Sequence, residues 1–188
     1  MTKKEFKYLV NIVTLLAVVL VYFGMRCLPI GRQTCLPQTG SLTYVAKAID
    51  GDTVKLATGE HVRLIGIDTP ESRYNPKLER DSARSRKDIK AILKMGKEAS
   101  RFTRQLVEGK RVRLEFDVQK HDKYGRLLAY IYLEDGTFVN ARIMEEGYAQ
   151  VMTIPPNVKY AGMFLRLQAQ ARKSGRGLWK DSAEKELF

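Results

Sequence analysis

The chain has 188 residues, enough for one domain of ordinary size with a core of its own. Its formal net charge is +12; residues 1–37, with five Lys or Arg and one acid, account for +4, which leaves +8 for residues 38–188. A folded part this basic is atypical of a neutral cytosolic enzyme and favours a polyanionic partner, either nucleic acid or an anionic membrane surface, with charge kept only for solubility as the open alternative.

The N-terminus has the pattern of a signal anchor. Lys3, Lys4 and Lys7 precede an uncharged, mostly apolar run at residues 8–25, which is about long enough to cross a bilayer as a helix. The run ends without the small residues of a signal-peptide cleavage site, so we expect an uncleaved transmembrane helix; cleavage and secretion are the alternative. The positive charge before the span predicts residues 1–7 in the cytoplasm and the rest outside it, at the cell surface or in the periplasm.

Residues 26–40 are rich in Pro, Gly, Gln and Thr and are predicted to be a tether. This tether contains both cysteines of the chain, Cys27 and Cys35. In an exported protein such a pair can form a local disulfide, and two free thiols or a bond between neighbouring copies are the alternatives. A zinc site is not expected, because no His lies near the two cysteines.

A folded domain is predicted over residues 41–182, followed by a tail at 183–188. Its first part shows three short strands joined by tight turns with Gly where a positive φ is needed. These strands are predicted at residues 43–49, 53–56 and 61–67. Short, regularly spaced strands favour a small barrel or a sandwich.

The middle of the chain changes from strand to helix. Residues 72–97 hold nine Lys or Arg and three acids, and they predict a solvated loop that leads into a helix. Apolar residues then recur at helical spacing up to Val107, and the helix is expected to end near Gly109. Two further strands are predicted at residues 111–117 and 127–132.

The C-terminal part predicts two more helices. A short strand is expected to run through Val139, with Asn140 as the N-cap of the first helix and Asn157 as the N-cap of the second. Gly147 and Gly175 are the expected stops of these helices, because glycine readily adopts the left-handed conformation found after a helix end.

Three acids near strand ends are candidates for chemistry: Asp52 in a turn, Asp68 at the end of an apolar strand, and Glu71. They are hard oxygen ligands with no Cys or His beside them, which favours Ca²⁺ or Mg²⁺ over zinc. Each also has an ordinary interpretation, since Asp52 can belong to a simple hairpin turn and Thr69-Pro70-Glu71 can start a helix.

Two arginines make the acids more informative. Arg63 begins the strand that Asp68 ends, and Arg126 follows a Tyr-Gly turn that opens another strand. A planar guanidinium can bind two oxygens of one phosphate. Two such cations, a metal and an acid are what cleavage of a phosphodiester requires: the cations neutralise the transition state, and the acid orients or deprotonates the attacking water.

Three stretches, VAKAIDGDTVKL, RLIGIDTPES and DKYGRLLAYIY, resemble in order and spacing the thermonuclease, or staphylococcal nuclease-like, family. The resemblance implies an α+β, mainly β fold. This fold is a five-stranded Greek-key OB barrel with about three packed helices, preceded here by one N-terminal transmembrane helix. The activity that the resemblance implies is Ca²⁺-dependent endonucleolytic hydrolysis of DNA and RNA, outside the cytoplasm in this chain.

The resemblance also assigns roles by motif position. Asp52 and Asp68 are the implied metal ligands, together with the backbone carbonyl of Thr69. Glu71 is implied to act through water, as general base or as the residue that positions the water. A cation held by two carboxylates and a carbonyl is consistent with calcium coordination by oxygen.

The remaining motif residues are implied to bind substrate. Arg63 and Arg126 would bind the phosphate and stabilise its developing charge, and Lys123 and Tyr124 would contact the nucleotide. DNA and RNA are therefore the expected partners, with the membrane contacted through the N-terminal helix, and a monomer is expected. The alternative is a tethered OB module that binds nucleic acid without catalysis, but such a module is expected to have lost some of these acids and arginines.

The chain differs from the family pattern at two places. The segment at residues 72–97 is longer than in the secreted thermonuclease and is strongly basic. It predicts either added phosphate contacts or only a solvated helical elaboration. The region after Val151 lacks the tyrosines that stack on the nucleotide in that enzyme, so Tyr148 and Tyr160 are the candidates to replace them.

Overall fold

The computed structural model describes residues 42–74, 76–85 and 89–180. The predicted cytoplasmic segment 1–7, the span 8–25, the tether 26–40 with its two cysteines, and the tail 183–188 lie outside these ranges. Within the described ranges, no helix has the length and apolar character needed to cross a bilayer.

Seven strands, four α-helices and one 3-10 helix make up the described part of the chain. The strands are β1 (Thr43–Ala48), β2 (Thr53–Leu56), β3 (His61–Leu64), β4 (Gly66–Asp68), β5 (Arg111–Glu115), β6 (Leu127–Leu133) and β7 (Gln150–Met152). The helices are α1 (Pro76–Ser85), α2 (Ile89–Val107), α3 (Val139–Glu145), α4 (Ala161–Lys173) and the 3-10 helix Gly177–Trp179.

Five of the strands close a barrel in the order β1-β2-β3-β6-β5, which confirms the predicted five-stranded, OB-like barrel. All neighbours are antiparallel except β3 and β6, and β5 closes the barrel by pairing with β1. Alternate residues face inward, as Val112 and Leu114 do on β5 between more exposed charged residues. This alternation fills the barrel with apolar side chains and leaves the ends of the strands for chemistry.

The prediction of one continuous strand at residues 61–67 is wrong, because the structure divides this segment into β3 and β4. Gly66 has a φ of 83°, and β4 leaves the barrel to pair with β7 in a separate two-stranded sheet. A side chain at Gly66 would collide with the ring of Phe164. Asp68 is therefore carried on a different sheet from Arg63, and the break turns it back toward the barrel.

The predicted solvated loop in residues 72–97 is corrected in part, since the structure contains helix α1 before α2. Leu78 is fully buried and anchors this helix, while neighbouring positions such as Glu79 and Arg80 are exposed. One large apolar residue in ten gives no helical periodicity, so the pattern predicts α1 only through the alternative of a solvated helical elaboration. Helix α2 confirms the predicted helix and is followed by Gly109 at a φ of 74°.

Both predicted N-caps are wrong. The residue before α3 is Phe138, so Val139 begins a helix rather than ending a strand, and Asn140 lies inside it. The Asn140 side chain is buried; it accepts from the Ile131 N–H at 3.0 Å and donates to the Ile65 carbonyl at 2.9 Å. Those two buried backbone groups need hydrogen-bond partners, and this need outweighed the local preference of Asn for an N-cap position.

Asn157 is likewise used across the fold rather than along its own helix. Its amide exchanges two hydrogen bonds of 2.8 Å with the backbone N–H and carbonyl of Gln119. The residue before α4 is Tyr160, which makes no side-chain cap hydrogen bond. The predicted stop at Gly175 is confirmed, with a φ of 57° directly after the helix.

Candidate active site

The first component of the site is the Asp52 carboxylate, in the turn between β1 and β2. Oδ2 accepts hydrogen bonds from the Thr69 amide at 2.8 Å and the Thr69 hydroxyl at 3.0 Å, and Oδ1 accepts from the Thr53 hydroxyl at 3.0 Å. Gly51 makes this approach possible, because a Cβ there would lie 2.7 Å from the Thr69 hydroxyl oxygen. The turn and the start of the acidic loop are thus held together with Asp52 in one orientation.

Arg63 lies between two of the predicted acids. Its Nη1 pairs with Asp52 Oδ1, and its Nη2 donates to Asp68 Oδ1 at 2.7 Å. The Arg63 side chain is 15% exposed and Asp68 is 26% exposed, so one edge of the ion-pair network reaches solvent. Nη2 also lies 3.9 Å from the Met152 sulfur on β7, which makes Met152 a neighbour of the guanidinium.

The electrostatics of Arg63 show which other charges are near. Burial lowers the pKa of the Arg63 guanidinium from its ordinary value, and the Asp68 charge and hydrogen bond oppose this lowering. The positive charge of Arg126 lowers the Arg63 pKa further, and the negative charge of Glu71 raises it. Asp68, Glu71 and Arg126 therefore all lie close enough to Arg63 for their charges to act on its guanidinium.

Arg126 reaches this place because β3 and β6 are parallel. Their register pairs Val62 with Leu127 and Arg63 with Leu128, so Arg126, directly before β6, stands at the same end of the barrel as the start of β3. Two arginines separated by more than sixty positions in the sequence are thereby aligned by a single strand pairing.

Asp122 holds the Arg126 side chain, a role that the sequence reasoning missed. Its Oδ2 accepts from Nε of Arg126 at 2.7 Å, and its Oδ1 accepts from the N–H groups of Tyr124 and Arg126 at 2.9 and 3.0 Å. Partial burial raises the pKa of Asp122, but these hydrogen bonds outweigh it and leave the pKa below its ordinary value. The sequence does contain a signal for this role, because an Asp whose side chain accepts a hydrogen bond from the backbone two residues further on is a recognised turn pattern.

Tyr124 and Lys123 lie on the open side of Arg126. The Tyr124 ring is 73% exposed, and its centroid is 5.0 Å from the Lys123 ammonium and 5.6 Å from the Arg126 guanidinium carbon. An exposed aromatic face with two cations beside it is suited to stacking on a base or sugar next to a phosphate.

Glu71 follows Thr69 and is half-buried, whereas Thr69 is almost fully buried. The Glu71 backbone packs against α2, where a side chain at Gly96 would collide with the Glu71 carbonyl oxygen. The helix therefore fixes the backbone from which the Glu71 carboxylate projects.

Tyr148 and Tyr160, the two candidates for stacking on the nucleotide, make contacts within the fold instead. The Tyr148 ring stacks on Phe102 at 4.8 Å, and the Tyr160 hydroxyl donates to Glu115 at 2.9 Å. Both tyrosines pack against the barrel core. The more exposed side chains at this edge are Met152 and Ile154, which are apolar and were not singled out from the sequence.

The oxygen atoms of Asp52, Asp68 and Thr69 fit a hard cation in their donor type. Within residues 42–74, 76–85 and 89–180, no three or more His, Cys, Asp or Glu side chains are grouped so as to hold a metal ion. The predicted set has two carboxylates, which converge on the Arg63 guanidinium. A cation here would depend on the Thr69 carbonyl and water for its other ligands.

Comparisons with known proteins identify relatives of this chain. The family described as "Staphylococcal nuclease homologue" matches residues 61–181, a range that contains every candidate site residue except Asp52. A thermonuclease of Staphylococcus intermedius is 38% identical over 144 residues, covering 75% of this chain and 77% of the relative. A thermonuclease of Staphylococcus hyicus is 33% identical over 183 residues, covering 95% and 99%. Endonuclease YncB of Bacillus subtilis is 37% identical over 142 residues, covering 72% and 60%.

Proposed function

This chain belongs to the family of staphylococcal nuclease homologues, and on that premise we propose that it is a calcium-dependent endonuclease that hydrolyses DNA and RNA. The observation that carries the proposal is the Arg63 guanidinium between Asp52 and Asp68, with the charges of Arg126 and Glu71 acting on it. A structural ion pair would not need a second arginine and a third acid whose charges also act on Arg63.

The two arginines bind the scissile phosphate. Arg63 and Arg126 donate hydrogen bonds to its non-bridging oxygens and neutralise the negative charge that grows on them in the five-coordinate transition state. Asp122 keeps the Arg126 fork in place through the 2.7 Å bond to Nε, so its terminal nitrogens are free of that acid and available to substrate. Rigid donors of this kind lower the barrier because they need not reorganise during the reaction.

Glu71 acts on the nucleophile. Its carboxylate accepts a proton from the attacking water, whose oxygen bonds to phosphorus as the bond from phosphorus to the leaving sugar oxygen breaks. The rigid backbone contact between Glu71 and Gly96 supports this role, since a general base must be held within hydrogen-bond reach of the water.

Asp52 and Asp68 would hold the calcium ion, with the Thr69 carbonyl as a third ligand. When bound, this ion supplies positive charge beside the phosphate and polarises its oxygens. Lys123 and the exposed Tyr124 ring bind the neighbouring nucleotide, by charge and by stacking. Stacking is tolerant of base identity, so this contact selects no particular sequence.

We place the nuclease domain outside the cytoplasm, anchored by the helix predicted at residues 8–25. The support for this location is the sequence pattern of basic residues followed by an uncharged apolar run. Protease added to intact cells should degrade the domain if it is outside, and protection of the domain until the cells are lysed would contradict the location.

The function is tested by incubating the protein with single-stranded DNA, duplex DNA and RNA, in Ca²⁺ and in chelator. The matched negative control is Arg63→Ala/Glu71→Ala. We expect cleavage that requires calcium and disappears in the double variant. Tight binding of nucleic acid without cleavage under any divalent metal would instead identify a binding module.

A further inference from the structure

Helix α2 carries a line of exposed cations that the proposed chemistry does not use. They recur at intervals of four and three residues and therefore share one face of the helix. We call this line the α2 stripe; it consists of Lys90, Lys94, Lys97, Arg101 and Arg104. At 1.5 Å per residue, the stripe extends over about 21 Å.

A cleft of about 290 Å³ runs between the α2 stripe and the segment that follows Glu71. Arg73 supplies a further cation from that segment, and Ser72 and Ser100 supply hydroxyl groups. The stripe contributes Lys97, Arg101 and Arg104 to the same lining. Four cations and two hydroxyls around one cleft are the donors that phosphate oxygens accept.

This cleft continues from the candidate active site. Gly96, which precedes Lys97, touches the Glu71 carbonyl so closely that no side chain fits between them. About two turns further on, the Thr103 hydroxyl donates to the Gly51 carbonyl at 2.7 Å, directly beside Asp52. Ser72 and Arg73 directly follow Glu71 and line the cleft together with Lys97 and Arg101, so the cleft begins next to the proposed base.

The charges of the stripe are weakly compensated. In the described part of the chain, Arg73, Lys97 and Arg101 are in no ion pair, and Arg104 approaches Glu108 only at 3.6 Å. Glu98 is the one acid in the lining of this cleft or of the adjacent hollow along α2. Like charges held together raise the free energy of the folded chain, and a bound polyanion removes that cost.

We propose that the α2 stripe binds the phosphodiester backbone of the nucleic acid beyond the nucleotides at the active site. The inference rests on the proposed nuclease function, and it adds an extended subsite that favours long substrates. A stripe of this length is long enough to contact several consecutive phosphates of one strand. Backbone contacts of this kind carry no base preference.

The test compares two variants of the full chain that lose the same charge. The stripe variant is Lys94→Gln/Lys97→Gln/Arg101→Gln, and the control variant is Lys55→Gln/Lys110→Gln/Lys173→Gln, whose lysines are exposed on β2, before β5 and at the end of α4. Binding of a fluorescent single-stranded oligonucleotide of about 20 nucleotides and of a trinucleotide is measured in chelator, at several salt concentrations. Circular dichroism confirms that both variants fold.

The stripe variant should bind the long oligonucleotide more weakly than wild type and bind the trinucleotide equally well. At about 0.7 released counterions per contact on a single strand, losing three contacts lowers the salt slope by about 2, so wild type loses roughly 20-fold more affinity than the variant between about 50 and 200 mM salt. Equal slopes for the stripe and control variants would overturn the proposal, because bulk charge would then explain the binding.

The outcome for the stripe is separable from the outcome for the nuclease. If wild type cleaves nothing but the stripe variant shows the lower salt slope, the proposed function fails and the stripe is still a nucleic-acid surface. Vesicles of phosphatidylserine and phosphatidylcholine test the other polyanion. A stripe variant that loses vesicle binding relative to the control variant, with unchanged oligonucleotide binding, would identify a membrane surface and overturn the proposal.

Discussion

The amide and the hydroxyl of Thr69 both donate to one oxygen of Asp52, at 2.8 and 3.0 Å. The two residues belong to different parts of the fold, since Asp52 lies in a barrel turn and Thr69 follows β4, which pairs with β7 outside the barrel. The contact fixes the Asp52 carboxylate so that its other oxygen faces Arg63. Asp52 therefore holds the barrel turn against the residue that follows β4, and it is also a candidate metal ligand.

Gly51→Ala should weaken the contact between Asp52 and Thr69. The new methyl group would lie 2.7–2.9 Å from atoms of the Thr69 side chain, so that side chain must shift, at a cost of about 1–3 kcal/mol in the free energy of unfolding. Urea denaturation measures the loss. The control is Gly162→Ala in α4, where the nearest atom is 3.8 Å away and helix propensity predicts a gain of up to about 1 kcal/mol. Equal effects of the two substitutions would contradict the close packing at Gly51.

Glu71→Gln should lower kcat far more than it weakens nucleic-acid binding. The substitution removes the proton acceptor and keeps the shape and the cationic surroundings, so we expect a loss of about 10²–10⁴-fold in kcat. Steady-state kinetics and oligonucleotide binding in chelator are measured together. The control is Glu134→Gln, an exposed acid that pairs with Arg111 on β5. Parallel losses of turnover and affinity would refute the role of Glu71 as base.

Asp122→Asn should lower kcat by about 10²-fold, since the Arg126 guanidinium loses its charged partner and moves from the phosphate. Asp122 acts through Arg126, so it is a positioning residue. In a double-mutant cycle, Asp122→Asn should therefore have almost no further effect on kcat once Arg126 is replaced by Ala. The control is Asp135→Asn, because Asp135 also accepts a backbone N–H in a turn, from Thr137 at 2.9 Å. Additive effects of the Asp122 and Arg126 substitutions would contradict the coupling.

The stability of the protein in acid should depend on Asp122. Partial burial raises the pKa of its carboxyl, but the bonds from Arg126 and Tyr124 leave it below the ordinary value of 3.8. A carboxyl with a lowered pKa in the folded state stabilises the fold above its unfolded pKa, and this contribution is lost as the pH falls through the folded pKa. Urea unfolding between about pH 5 and pH 3 should therefore show a smaller stability loss in Asp122→Asn than in wild type. Curves that run parallel would show that the pairing contributes nothing.

Arg63→Ala should make the stability of the protein more responsive to calcium. The substitution removes the cation between Asp52 and Asp68, and a divalent ion can replace that charge, so Ca²⁺ should raise the Tm of the variant more than the Tm of wild type. Thermal unfolding with Ca²⁺ and with chelator measures this. Adding Asp68→Asn to the variant should abolish the response. A calcium response that survives the loss of Asp68 would place the ion elsewhere.

Much of the barrel was predictable because its strands are local patterns. Alternation on β5, the apolar and aromatic run of β6, turn glycines and the apolar period of α2 each follow from neighbouring residues in the chain. The predictions failed where a distant contact outweighed a local preference. Asn140 and Asn157 are good caps in isolation, but each satisfies backbone groups on another element. Helix α1 was predicted only as an alternative for a similar reason, since one buried leucine stabilises it through tertiary packing.

By itself, the sequence determined the residue types of the site: three acids, two arginines and an aromatic residue beside turns, together with a strongly basic α2. Only the tertiary structure decided how they meet. The break at Gly66 moved Asp68 to a second sheet, and the parallel pairing of β3 with β6 brought Arg126 to the end of the barrel where Arg63 lies. The chemistry of a side chain depends only on the residue type. Whether several side chains meet depends on strand register and chain reversals, which are set by the packing of the whole domain.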